Sequence, residues 1–124
     1  MPKNHRIQSL RRQAFERQDG RCYYCGVRVW LTSPAELPGA PRKPSAWPRL
    51  RCTAEHLVAQ SEGGSDTLSN IAAACALCNH TRHKRKQPPE PQAYQAEVRR
   101  RMKRGAWHQR WVHEQGLAAG DCTG

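Results

Sequence analysis

The stretch EHLVAQSEGGSDTLSNIAAACALCNHTRHK, residues 55–84, decides how this chain is read. It holds an acid–histidine pair (Glu55 and His56), a Gly63-Gly64 turn, Asn70, and the pair Cys75 and Cys78 followed at once by Asn79. A second Cys-x-x-Cys, Cys22 and Cys25, lies upstream in RCYYCG. Each pair offers two thiolates from one tight turn, and zinc takes four in a tetrahedron, so together they spell a structural four-cysteine zinc site. One pair alone is a weak signal. Two in a chain of 124 residues are a strong one.

Around that stretch, LRCTAEHLV (residues 50–58) reads as a strand. Alternation sends Cys52, Ala54, His56 and Val58 to one face and Arg51, Thr53, Glu55 and Leu57 to the other. A site using both Glu55 and His56 therefore requires a strand end or a bulge here. Residues 60–69, with Gly63-Gly64 and Asp66, read as a turn-rich link. CNHTRHKRK is expected to be helical from about Cys78, which places Asn79 and His83 on one face a turn apart. Cys52 reads as a buried thiol outside the metal set, and Cys122 as unpaired.

A mean hydropathy of −0.91 and a single Phe leave little apolar surface to bury, and a metal staple is a common remedy. The six cysteines could instead form three disulfides, as in small secreted proteins. The opening MPKNHRIQSL has no apolar h-region and no run reaches membrane-spanning length. A reduced, cytoplasmic chain that is not secreted and has no membrane partner is expected, with a bacterial or phage-encoded setting in view. The formal net charge of +11 attracts polyanions, and nucleic acid is the expected partner. Ribosome association and a merely solubilising surface are the plainer uses of such charge.

In the flanks, SLRRQAFERQDG (residues 9–20) reads as a short helix capped by Ser9 and stopped at Asp19-Gly20. Ile7, Leu10 and Ala14 line its apolar face, while Arg11, Arg12 and Arg17 are expected on a solvated one. Residues 27–30 alternate like a short strand, and Tyr23, Tyr24 and Trp30 are expected to pack round the first knuckle. A proline-rich insertion spans about residues 33–48. Beyond a proline hinge, residues 91–116 read as one long helix kinked at Gly105, with Tyr94, Val98, Met102, Trp107 and Trp111 in a stripe. Arg99, Arg100, Arg101, Lys103 and Arg104 form its positive patch, either along DNA or on a solvated outer face. The expected division is residues 1–88 as one domain, then 89–124 as a basic C-terminal helix and flexible tail.

The ordered set of residues resembles the HNH nucleases in their zinc-stapled form, over roughly residues 21–84 apart from the insertion. The resemblance implies a small α+β fold: a ββα-metal finger stapled by Cys22, Cys25, Cys75 and Cys78, with flanking N- and C-terminal helices. It implies His56 as general base, with Glu55, Asn79 and His83 holding a catalytic divalent ion (magnesium, manganese, nickel or zinc) that stabilises the leaving 3′ oxygen. Asn70 would tie the hairpin loop so that His56 points at the water. Family members commonly carry Asp or His where Glu55 stands. The function so implied is a metal-dependent endonuclease hydrolysing phosphodiester bonds, with double-stranded DNA as substrate. Two alternatives stand beside it: a non-catalytic zinc-stapled nucleic-acid-binding module, and an interaction domain that docks a partner through Trp107 and Trp111.

Overall fold

A computed structural model describes residues 3–37 and 47–114. Helix α1 (Lys3–Arg17) leads in, the hairpin strands are β1 (Cys52–His56) and β2 (Ile71–Cys75), and α2 (Ala76–His83), α3 (Pro91–Lys103) and α4 (Arg110–Glu114) follow. β1 and β2 pair antiparallel in unbroken register from Cys52↔Cys75 to His56↔Ile71. Every residue of β2 is buried, although a two-stranded sheet has two faces to cover. Leu10 and Ala14 of α1 share the buried cluster with Ile71 and Ala73, and α2 lies against β1 through Thr53 and Glu55. The architecture is a small α+β fold whose hairpin runs directly into α2.

The edge of β2 away from β1 is closed by side-chain and knuckle amides, the groups that otherwise invite another strand. Gln18 donates to the Ala73 carbonyl at 2.9 Å and accepts from the Ala73 amide at 2.9 Å. The Tyr23 amide donates to the same carbonyl at 2.8 Å. Trp30 joins the other side of the hairpin by a single bridge to Arg51, so residues 27–30 add no full strand.

Several expectations change. α1 begins at Lys3, so Ser9 lies mid-helix, where its hydroxyl accepts from Gln13 rather than capping. Arg11 and Arg17 are not a solvated face: Arg11 donates to the Cys52 carbonyl at 3.0 Å and Arg17 to the Ile71 carbonyl at 3.2 Å, tying α1 to the hairpin. α2 starts two residues before Cys78. The C-terminal helix is two helices, because Gly105 adopts φ +65 and ends the turn after Lys103. Only the rim of the proline-rich insertion is described. There Ser33 and Glu36 form a capping box around a short turn, and Glu36 accepts from the Leu31, Thr32 and Ser33 amides. Gly116, Cys122 and the expected flexible tail lie outside the described residues. Among those residues no helix is long and apolar enough to cross a membrane.

The Gly-Gly turn is fixed by two different constraints. Gly63 adopts φ +91 with open space around it, whereas a Cβ on Gly64 would sit 1.7 Å from the Val58 carbonyl oxygen. Gly63→Ala is therefore expected to cost about 1–2 kcal/mol through its left-handed backbone, and Gly64→Ala distinctly more, because backbone itself must move. Urea denaturation of the two variants checks the order; a costlier Gly63→Ala contradicts it.

Candidate metal centre and active site

The four cysteines of the two knuckles meet. Cys22, Cys25, Cys75 and Cys78 are buried, with sulfur atoms all within 4.8 Å of one another. Gly26, at φ +76, lets the first knuckle turn back beneath them. β2 ends on Cys75, whose sulfur accepts the Cys78 amide at 3.3 Å as α2 begins. Cys22 Sγ accepts amides from Tyr24 at 3.3 Å and from Cys75 at 3.3 Å.

This donor set fits a metal. Tetrahedral zinc–thiolate bonds of roughly 2.3 Å place sulfurs about 3.8 Å apart, and Cys25 and Cys75 stand 3.9 Å apart. Burial pushes the Cys22 thiol up, yet hydrogen bonds from Cys25, Cys75 and Cys78 outweigh it and hold it well below its ordinary value. Burial, then bonds to Cys22 and Cys25, pushes Cys75 and Cys78 well above theirs. Burial opposes ionising all four thiols together, and a cation among them would offset that cost. Cys52 lies outside the cluster, its thiol pushed up to about 12 by burial.

The C-terminal segment closes over this cluster, which the sequence reading missed. Trp107 Nε1 donates to Cys78 Sγ at 3.3 Å, and His108 Nε2 lies 3.2 Å from Cys25 Sγ. Burial pushes the His108 imidazole down to about 4, so the ring is neutral near pH 7. Trp107 also stacks edge-on against Tyr94, and Trp111 against Trp47. Both indoles are partly buried within the molecule. Their spacing of four signalled a helix stripe, and Gly105 broke that reading.

On the α2 side of β1, Glu55 is 1% exposed. Its carboxylate accepts from the Tyr24 hydroxyl at 2.7 Å and from Arg82 at 2.8 Å, and His83 Nε2 lies 2.9 Å from Oε1. Burial, then the Glu55 charge, raises the Tyr24 hydroxyl far above its usual range, so it serves as a neutral donor. Asn79 lies one turn before His83; its Nδ2 donates to Thr53 Oγ1 at 2.9 Å, turning Oδ1 away from that contact. Two ligands at adjacent octahedral corners with bonds of about 2.1 Å stand roughly 3.0 Å apart. The 2.9 Å between His83 Nε2 and Glu55 Oε1 matches that spacing.

His56 is the last residue of β1, without a bulge, and its side chain diverges from that of Glu55 as alternation requires. Its Nε2 lies 2.8 Å from Asp66 Oδ1, and Gln60 donates to the same oxygen at 3.0 Å. Nδ1 is then the nitrogen left to accept a proton. Asn70 Oδ1 accepts from the Val58 amide at 2.9 Å, while Nδ2 donates to the carbonyls of Val58 and Ser65, each at 3.0 Å. That amide fastens the start of the loop to the segment that delivers Asp66. The structure thus brings Glu55 and His83 together, places Asn79 one turn before His83 in contact with Thr53, and sets His56 at the strand end in a separate contact with Asp66. From sequence Tyr24 had only a packing role and Asp66 only a place in a turn, and Arg82 was not singled out. Arg82, three residues after Asn79 on the same helix, was the most legible of them.

Comparisons with known proteins agree on one point. Residues 42–85 match the family model described as HNH endonuclease. No curated protein and no solved structure matches the chain.

Outer donors to metal-bound thiolates typically shift metal affinity about 10–100-fold. Trp107→Phe keeps the ring but removes the N–H, and is expected to speed metal loss from the four-cysteine cluster to a chromogenic chelator roughly tenfold. An unchanged release rate contradicts a role for that donor.

Proposed function

Starting from an HNH endonuclease domain at residues 42–85, we propose that this protein is a metal-dependent endonuclease that hydrolyses phosphodiester bonds in DNA, double-stranded DNA being the substrate. The observation that supports this reading is the contact of His83 with Glu55 beside the strand end that bears His56, with Asn79 one turn before His83 on α2.

The division of labour follows from the chemistry of the groups. His56 Nδ1 takes a proton from the attacking water, because an imidazole titrates near neutrality. Asp66 holds the other ring nitrogen and with it the tautomer, as carboxylates do for catalytic histidines generally. Asn70 fixes the loop that carries Asp66, which is how it keeps His56 aimed. Glu55, Asn79 and His83 would hold one divalent ion, which supplies Lewis acidity to the phosphate and the departing 3′ oxygen. Arg82, ion-paired to Glu55, holds that carboxylate in place. The four cysteines hold a structural zinc that takes no part in the reaction.

One observation favours the non-catalytic module: Glu55 already has Tyr24, Arg82 and His83 as partners without any ion. The two readings part on cleavage. Zinc-loaded protein is expected to nick plasmid DNA when magnesium, manganese or nickel is added, and not in EDTA. His56→Ala is expected to lower the rate about 10²–10⁴-fold with an unchanged melting temperature, and Asp66→Asn by a smaller factor. Cys22→Ser should lose stability and activity together. Binding without cutting in every metal supports the module instead.

A further inference from the structure

Most of the well-placed arginines of this chain are already engaged. Arg11, Arg17 and Arg82 hold carbonyls or Glu55, Arg85 pairs with Glu97, Arg99 donates to the Tyr24 carbonyl, and Arg101 lies over Trp107. A different set is unengaged. Arg49, Arg51, His80 and Lys84 line one groove of about 310 Å³, together with Pro48, Ala76, Leu77 and Thr81. No carboxylate lines it. Among the described residues, the side chains of those four make no hydrogen bond or ion pair.

The groove adjoins the candidate active site along two elements. Arg51 precedes β1 and has the same alternation as Thr53 and Glu55, so one row leads from groove to site. Four residues of strand span about 13 Å, the axial rise of roughly four base pairs. On α2, His80 follows Asn79 and Lys84 follows His83, so the groove occupies the flank next to the candidate ligands. Three fixed positive charges around a concave floor repel one another unless an anion lies among them. The floor of Ala76, Leu77 and Pro48 suits the apolar face of a sugar.

We propose that this groove is the main phosphate-binding track of the protein, holding the nucleic-acid backbone about four nucleotides from the Glu55–His83 pair, in preference to the arginine run of α3. The α3 run is the denser in sequence, but Arg99 and Arg101 are spent on packing and Glu97 dilutes its charge. The proposal rests on the nuclease reading for its polyanion. Its contacts are to phosphate and carry no base preference.

The test measures binding apart from cutting. Zinc-loaded protein without added divalent ion is titrated into a fluorescein-labelled DNA duplex at several salt concentrations, and anisotropy is read. The triple variant R49A/R51A/K84A is compared with R100A/K103A/R104A, each checked for zinc content and helical circular dichroism. Loss of three phosphate contacts is expected to flatten the slope of log affinity against log salt by about 2.7. At moderate salt it should weaken binding at least tenfold, equally on unrelated sequences, while the α3 triple changes little. Hydrolysis of bis(p-nitrophenyl) phosphate with manganese, too small to reach the groove, should be the same in wild type and groove triple. A groove triple that binds like wild type, or an α3 triple that loses as much or more, overturns the proposal. Wild-type protein that binds through the groove but cuts in no metal would overturn the nuclease reading and leave the groove standing.

Discussion

Four cysteine sulfurs brought together from two knuckles fifty or more positions apart are the constraint on which the rest of this molecule hangs. Among the described residues the apolar core consists of Leu10, Val27, Val29, Leu31, Leu37, Leu50, Ile71, Val98 and Val112 with a few alanines and two tyrosines. Domains of this size are stable by only about 5–15 kcal/mol, while a structural zinc contributes on the order of 10–16 kcal/mol to folding. Metal held by the four-cysteine cluster would therefore decide whether the knuckles, the end of β2 and the start of α2 keep one arrangement. Trp107 and His108 extend the same dependence to the C-terminal segment through their contacts with Cys78 and Cys25.

The cluster also reaches the candidate active site by a short physical path. Tyr24 sits inside the first knuckle, between two of the cysteines, and its hydroxyl donates to Glu55. Tyr94 packs edge-on against Tyr24 at 4.8 Å and donates to the Cys78 carbonyl at 2.7 Å. A buried carboxylate is costly unless it is paired and hydrogen-bonded. Here the knuckle supplies one partner and α2 supplies two, Arg82 and His83. Disorder in the cysteine cluster would thus loosen Glu55, itself a candidate ligand, from a distance.

How much of this could be read from sequence depended on the range of the signal. The two Cys-x-x-Cys pairs and the i, i+4 placement of Asn79 and His83 are local spacings, and the elements they imply are present. Strand alternation foretold that Glu55 and His56 diverge, and they do so at a strand end. Long-range contacts left no comparable mark. Arg11 and Arg17 follow a pattern that suits a solvated helix face, yet their guanidinium groups cross to backbone carbonyls 41 and 54 residues away. The His56–Asp66 contact depends on how the Gly63-Gly64 turn folds back, and the closure by Trp107 and His108 on a left-handed Gly105. A helix drawn straight through Gly105 would carry both indoles elsewhere.

The central claim is a division between two metal centres: cysteines that hold the frame, and Glu55, Asn79 and His83 that hold a separate divalent ion. Manganese stoichiometry tests it most directly. Zinc-loaded protein is equilibrated with manganese, dialysed against a low manganese concentration and analysed for both metals, with manganese paramagnetic resonance in parallel. The account predicts one zinc and one manganese per chain, with His83→Ala losing the manganese and keeping the zinc. Wild-type protein that holds zinc but no manganese, or a His83→Ala variant that keeps its manganese, would contradict it.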